Sequence, residues 1–317
     1  MNTQKDFYQL EKNILKLAEE IEDLEINDVS GSKEKIARLR GQIEKEWEQL
    51  RPVLTPLHFV QIARHPKRPY TLDYIQNLAT NFIELHGDRR TADDPAIVAG
   101  FGFYRDRSVA LIGHQKGRST KQRLDRNFGQ PNPEGYRKAL RVMKLAEKFG
   151  HPIVTFIDTQ GAYPGIGAEE RGQAEAIAFN LKEISKLTVP VINIVIGEGG
   201  SGGALGIGVG DATLMLEYSF YSVISPEGCA AILWKDQSAI SQAAENLRFL
   251  AKDLQEFGVI EKIIPEPPGG AHVNPAQTHK NVDRYLNQTL KQLEEISPEE
   301  RVEKRYQKYR KIGFFSE

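Results

Sequence analysis

Phe156-Ile157-Asp158-Thr159-Gln160-Gly161-Ala162-Tyr163-Pro164-Gly165 and Val195-Ile196-Gly197-Glu198-Gly199-Gly200-Ser201-Gly202-Gly203-Ala204 share one design, an apolar run that opens into a glycine-rich turn. Each run reads as a buried strand, and each turn is followed by the start of a helix. The first N–H groups of a helix have no partner within it and the helix dipole favours negative charge there, so both turns suit an anion. Glycine lets a ligand approach the main chain and tolerates left-handed angles. Tight packing of a helix on a strand also uses glycines, but the five between Gly197 and Gly203 exceed that need.

Outward from this pair, period-two and period-3.6 segments alternate. Strands are expected at Ile153 to Ile157, Val191 to Ile196, Ala212 to Leu216, Tyr221 to Ile224 and Val259 to Ile264. Helices are expected at Pro133 to Phe149, Ala168 to Leu187, Gly202 to Val209 and Ser238 to Phe257, and Ser225-Pro226-Glu227 is a further helix start. The alternation predicts an α/β layer structure. Upstream, Ala96 to Tyr104 and Ser108 to His114 form a hairpin around Arg105-Asp106-Arg107, and Thr71 caps a helix that reaches Leu85. Leu10, Ile14, Leu17, Ile21 and Leu24 form a heptad seam, Asp28-Val29-Ser30-Gly31-Ser32 breaks it, and Ile36, Leu39, Ile43, Trp47 and Leu50 begin a second. The product is an antiparallel helical hairpin, either a solvated arm or an assembly surface. Pro265-Glu266-Pro267-Pro268-Gly269-Gly270 closes the core, and Ser297-Pro298 starts a charged last helix to Lys311. The expected division is a hairpin over 1–54, a core over 55–264 and a helical tail over 265–317.

The 317 residues carry 42 basic and 43 acidic side chains. No global field therefore recruits nucleic acid or a membrane, and neither is an expected partner. With 40% hydrophobic and 27% charged residues the chain reads as soluble and globular. The lone Cys229 excludes an internal disulfide and an all-cysteine zinc site, and fits a reducing, cytoplasmic setting. No apolar run reaches the roughly 18 residues of a membrane span, and the polar start Met1 to Asp6 is not expected to be a signal peptide.

Three chemistries compete at the second turn. Gly197-Glu198-Gly199-Gly200-Ser201-Gly202 satisfies the dinucleotide pattern G-x-G-x-x-G, with Glu217 about far enough along for a ribose contact. Gly206, Gly208 and Gly210 cut the next helix below the roughly ten residues that a parallel crossover needs. Gly199-Gly200-Ser201-Gly202-Gly203 also satisfies the nucleophile elbow G-x-S-x-G of serine hydrolases. Its base would be His272 or His279, which read as solvated in a polar segment near Asn274 and Pro275. The third chemistry uses the main chain alone. N–H groups of Gly199 and Gly200 form an oxyanion hole opposite the first turn, each donor worth roughly 2.7–4 kcal/mol to a developing negative oxygen. That suits enolate-type anions and asks for no acid–base pair, metal cluster or triad, none of which the sequence displays. Lys116, Arg118, Lys121, Arg123 and Arg126 form a basic run just past a strand end, either a solvated face or a phosphate clamp.

Both glycine turns, together with Ala168-Glu169-Glu170-Arg171-Gly172-Gln173 and Tyr221-Ser222-Val223-Ile224-Ser225-Pro226-Glu227-Gly228-Cys229-Ala230, resemble the carboxyltransferase alpha subunits of bacterial-type acetyl-coenzyme A carboxylase. Ala63-Arg64-His65-Pro66, Gly113-His114-Gln115-Lys116-Gly117-Arg118 and Asn127-Phe128-Gly129 support the resemblance, which runs from about residue 55 to the end. The N-terminal hairpin shares only its helicity. The resemblance implies an α/β, crotonase-like (ClpP/crotonase) ββα spiral with an N-terminal helical hairpin and C-terminal helices. It also implies transfer of a carboxyl group from carboxybiotin, on a biotin carboxyl carrier protein, to acetyl-CoA. The product is malonyl-CoA for fatty acid synthesis, and biotin carboxylase uses ATP in a separate step. A beta subunit is the implied partner in an α2β2 assembly, holding the acetyl-CoA enolate and the only zinc.

By the same resemblance, Gly199 and Gly200 match an oxyanion hole for the biotin ureido oxygen. Gly161, Ala162, Tyr163, Pro164, Gly165, Ser201, Gly202 and Gly203 are expected around the substrate, and Lys116, Arg118 and Lys121 at CoA phosphates or the carrier. Biotin freed of CO2 would take the acetyl proton, so no protein base is implied. The family pattern has proline where this chain has Gln160. Glutamine before Gly161 is expected to keep a type II turn at an entropic cost below about 1 kcal/mol.

Overall fold

The computed structural model describes residues 6–27 and 32–313. The expected strands, joined by one that was not expected, the first, form a sheet of eight: β1 Thr80–Glu84, β2 Ile97–Tyr104, β3 Arg107–His114, β4 Ile153–Thr159, β5 Val191–Gly200, β6 Ala212–Leu216, β7 Phe220–Ser222 and β8 Lys262–Ile264. They lie in the order β1-β2-β3-β4-β5-β6-β8, and β7 extends the sheet alongside the end of β5. β1, β2 and β3 pair antiparallel, and from β3 onward every pairing is parallel. The β2–β3 hairpin turns in two residues, since Tyr104 pairs Arg107. With helix Pro133–Lys148 it makes the expected ββα unit.

Alternation along the strands sends side chains to opposite faces. Ile97, Ala99, Ala110 and Ile112 pack with Tyr136, Ala139 and Ile184 of helices Pro133–Lys148 and Gln173–Ile184. Val98, Val109 and Leu111 pack with Tyr74, Val282 and Leu286 of helices Thr71–Leu78 and Pro275–Glu294. Covered on both faces, β4 and β5 are buried at every residue, hence their unbroken apolar runs.

Three expected helices are cut short or broken, two by tertiary pairing and one at a glycine. The helix from Thr71 stops at Leu78, and Thr80–Glu84 becomes β1 against the edge of β2. Thr71 is not its cap: Tyr70 precedes the helix, its N–H donates to Asp73 Oδ2 at 2.7 Å, and the Thr71 hydroxyl donates to the His114 carbonyl. The expected helix over 168–187 is Ile166–Glu170 plus Gln173–Ile184, broken at Gly172 with φ 85°. The expected helix over 238–257 breaks where Leu250 bridges Phe220 and the Tyr221 N–H donates to the Phe249 carbonyl.

The N-terminal arm is docked. Helices Lys12–Ile26 and Ser32–Leu50 meet through Ile14, Ile21, Leu39, Ile43 and Trp47, and this stripe continues onto Ile62 and Tyr218 of the core. The expected break at 28–31 lies outside the described residues. Among the described residues no helix is long and apolar enough to cross a membrane.

Candidate functional site

β3, β4 and β5 end side by side at His114, Thr159 and Gly200, the edge where parallel sheets gather ligands. A cleft of about 880 Å³ opens beside them, lined by Tyr8, Arg64, Lys116, Gln160, Glu198 and Glu227 among others. Its floor is a chain of charges in which Asp158 and Glu198 are buried and Lys116, Arg64 and Glu227 partly so. Lys116 Nζ lies 2.8 Å from Asp158 Oδ1 and 2.7 Å from Glu198 Oε1. Arg64 reaches Glu198 at 2.7 Å and Glu227 at 2.6 Å, and the Glu198 N–H donates to Asp158 Oδ1 at 3.0 Å.

Burial is the largest single influence on each of these groups, and the charged partners decide whether it prevails. It pushes the Asp158 pKa up, with Glu198 adding to the rise against the pull of Lys116. Burial also works against the Glu198 carboxylate, but Lys116 and Arg64 outweigh it and hold its pKa below the usual range. For Lys116 the desolvation cost is overcome by Asp158 and Glu198, and the ammonium is held above its usual pKa. Behind this chain, His114 Nδ1 faces the Asp158 N–H at 3.4 Å and Nε2 faces the Gly203 carbonyl at 3.2 Å. The N–H donor fixes Nδ1 as acceptor and Nε2–H as donor. Burial then lowers the His114 pKa to about 3, so the ring is neutral.

The two glycine turns meet main chain to main chain. A Cβ on Gly200 would lie 2.3 Å from the Gln160 carbonyl oxygen, and one on Gly203 would lie 2.4 Å from the Gly161 carbonyl carbon. Gly199 backs onto the Tyr221 ring, 2.6 Å from where its Cβ would be. The first turn is not type II: Gly161 has φ 154°, far from the roughly 80° that type requires. Thr159 sets it instead, its hydroxyl accepting from the Gly161 N–H at 3.1 Å and donating to the Gly161 carbonyl at 2.7 Å. Tyr163 and Pro164 are exposed, Ala162 and Gly165 half-buried, and the Tyr163 N–H is held by the Pro131 carbonyl at 3.0 Å.

The basic run divides. Lys116 turns inward to its two carboxylates; Arg118 pairs with Asp73 and lies over the Tyr70 ring at 4.7 Å. Lys121 is exposed in helix Thr120–Asp125. At the second turn Ser201 has φ 51° and starts a helix of only five residues, Ser201–Leu205. Glu217, the ribose candidate, pairs with Arg51 at 2.8 Å. The histidines expected to be solvated are both buried: His279 packs edge-on against Tyr74, and His272 pairs with Glu11 at 2.9 Å. Neither is hydrogen-bonded to Ser201. The structure also gathers a carboxylate and two imidazoles, Glu11, His65 and His272, within 4.8 Å of one another, a cluster that the sequence order concealed.

Residues 4–313 match the family described as acetyl co-enzyme A carboxylase carboxyltransferase-like. The chain is 54% identical over 316 residues to the acetyl-coenzyme A carboxylase carboxyl transferase subunit alpha of Geobacter metallireducens, covering 98% of this chain and 99% of that one. It belongs to that alpha-subunit family, and the family is one of carboxyltransferase enzymes. The counterpart from Anoxybacillus flavithermus is 55% identical over 313 residues, 98% of this chain and 96% of that one. A chain of a Pseudomonas malonate decarboxylase hetero-tetramer in complex with coenzyme A superposes with TM-score 0.59 at 15% identity, covering 74% of this chain and 91% of that one. Transcarboxylase 12S, with methylmalonyl-coenzyme A bound, gives 0.55 at 19% identity over 69% of this chain and 42% of that one. At such identities the likeness shows the fold, the crotonase-like carboxyltransferase spiral.

In this alpha-subunit homologue the charge chain under the cleft is what sequence reasoning missed. Its signal was Glu198: an acid inside a strand buried at all ten residues demands a partner, and Lys116 and Arg64 are the partners.

Proposed function

We propose that this chain is the alpha half of a carboxyltransferase that moves the carboxyl group of carboxybiotin, presented by a carrier protein, to acetyl-CoA to give malonyl-CoA. In this reading the Gly199 and Gly200 N–H groups face the biotin ureido oxygen and stabilise the charge that grows there as CO2 leaves. Biotin then takes the acetyl proton, and the acetyl-CoA enolate attacks CO2. The observation that carries the reading is the close seat of Gly200 on the Gln160 main chain beside the cleft, which fixes the second turn against the first. Preorganised donors need that rigidity. The floor of Asp158, Lys116 and Glu198 holds its charges in mutual pairs and is assigned to shaping the cleft. Arg118 and Lys121, on the exposed part of the basic run, are assigned to CoA phosphates or the carrier.

A beta subunit would supply the second anion site and the complex its zinc, in an α2β2 assembly in the cytoplasm serving fatty acid synthesis. Val223, Ile232 and Leu233 are 79%, 68% and 67% exposed on the segment that also gives Ser225 and Glu227 to the cleft. That apolar segment suits a partner closing the site. The test is carboxyl transfer from malonyl-CoA to biocytin, with this chain alone and with a beta subunit. Activity only in the mixture supports the reading, and co-elution of the two without activity would sink it.

A further inference from the structure

The N-terminal arm reaches the cleft. Tyr8 lines it together with Arg64, Lys116 and Glu198, although the heptad pattern of the arm suggested no chemistry. Three contacts fix the short helix Phe7–Leu10 that carries it. Phe7 is fully buried in the cluster that includes Ile62 and Tyr218. Its N–H donates to Gln61 Oε1 at 2.9 Å. Glu11, directly after the helix, is buried between two imidazoles, with Oε2 2.9 Å from His272 Nε2 and Oε1 3.3 Å from His65 Nε2.

The two rings stack, centroids 3.8 Å apart and planes at 25°. His65 Nδ1 accepts the Lys67 N–H at 3.2 Å, which leaves its proton on Nε2, toward Glu11. The buried Nδ1 of His272 has no partner among the described residues, so Glu11 is that ring's hydrogen-bonding anchor. Only Oε2 of Glu11 is hydrogen-bonded, to His272 Nε2; Oε1 is buried without a hydrogen bond among the described residues and meets His65 Nε2 as a close polar contact at 3.3 Å. The cluster works as a clasp of one hydrogen bond, one close polar contact and one ring stack that ties the arm to His65 and His272. The Tyr8 hydroxyl meets no hydrogen-bonding partner among the described residues. Burial, then Asp6 and Glu11, raise its pKa and keep it a neutral donor.

We propose that Tyr8 is a binding residue of the cleft, donating its phenolic hydrogen bond to an acceptor oxygen of the biotin-side substrate, and that Glu11, His65 and His272 are positioning residues that hold it there. The inference rests on the carboxyltransfer reading of the cleft. Tyr8→Phe and Glu11→Gln, each in the full chain with the beta subunit, are assayed for transfer from malonyl-CoA to biocytin while each substrate is varied separately. Tyr8→Phe raises the biocytin KM roughly threefold to tenfold, with kcat and the malonyl-CoA KM within about twofold of the parent. Glu11→Gln raises the same KM, and the double variant is no worse than Glu11→Gln alone. If Glu11→Gln fails to fold, Tyr8→Phe, which removes one cleft-side hydroxyl, still decides the matter. An unchanged biocytin KM in Tyr8→Phe beside an active parent overturns this inference and leaves the carboxyltransfer reading standing. An inactive parent mixture overturns both. One zinc per chain in the purified parent, lost in Glu11→Gln, overturns the clasp.

Discussion

Lys116→Met isolates the charge chain beneath the cleft. Methionine keeps the stem of the side chain and removes an ammonium 2.8 Å from Asp158 and 2.7 Å from Glu198. Arg64 still pairs with Glu198, but Asp158 is left without a cation in the described network. Breaking one side of a buried ion pair costs about 3–5 kcal/mol, a drop in melting temperature on the order of 10 °C for a chain of this size. The pH dependence gives the cause away. Burial and Glu198 already raise the Asp158 pKa, and losing Lys116 raises it further. A folded carboxyl with a raised pKa binds a proton that the unfolded chain has released, so the folded variant gains ground as pH falls. Melting curves of parent and variant should therefore differ most near about pH 8 and converge toward about pH 5. A deficit below about 1 kcal/mol at every pH, or one that grows toward acid, would refute the argument that Asp158 is the stranded charge.

Other sites yield sharper or simpler outcomes. Gly200→Ala drives a methyl to 2.3 Å from the Gln160 oxygen, and carboxyl transfer should fall about 10²-fold or more; Gly202→Ala meets only Ile177 at 3.8 Å and should melt as the parent does. His114, with its pKa near 3 in the fold and about 6.5 when unfolded, contributes stability that is intact above the upper value and lost as pH falls toward the lower one. The slope is about 1.4 kcal/mol per pH unit, and His114→Gln should flatten it in melts across that window. Leu233→Glu places a charge on the exposed apolar segment, and co-elution with a beta subunit should be lost while the melting temperature of the chain alone is kept.

What the sequence revealed and what it hid follow from the range of the forces involved. β4 and β5 were legible because strands covered on both faces must be apolar throughout, and the glycines after them because two main chains in contact leave no room for a side chain. The short β1 was read as helix because its pairing with β2 joins residues such as Thr80 and Phe103, which no local period reports. The helix break at Phe249 and Leu250 likewise depends on their contact with Tyr221 and Phe220.

At the site the same division holds. The turns are local and were found, whereas the charges beneath them come from Arg64, Lys116, Asp158 and Glu198, each on a different segment. His272 read as solvated because its neighbours in sequence are polar; its actual neighbours are Glu11 and His65, one of them 261 positions away. A buried charge cannot stand alone, so every ionisable residue inside an otherwise apolar run commits the chain to a distant partner that the run does not name. Glu198 was such a residue, and the fold answers it with a lysine two residues past the end of β3 and an arginine from the segment that also positions His65 against the N-terminal arm.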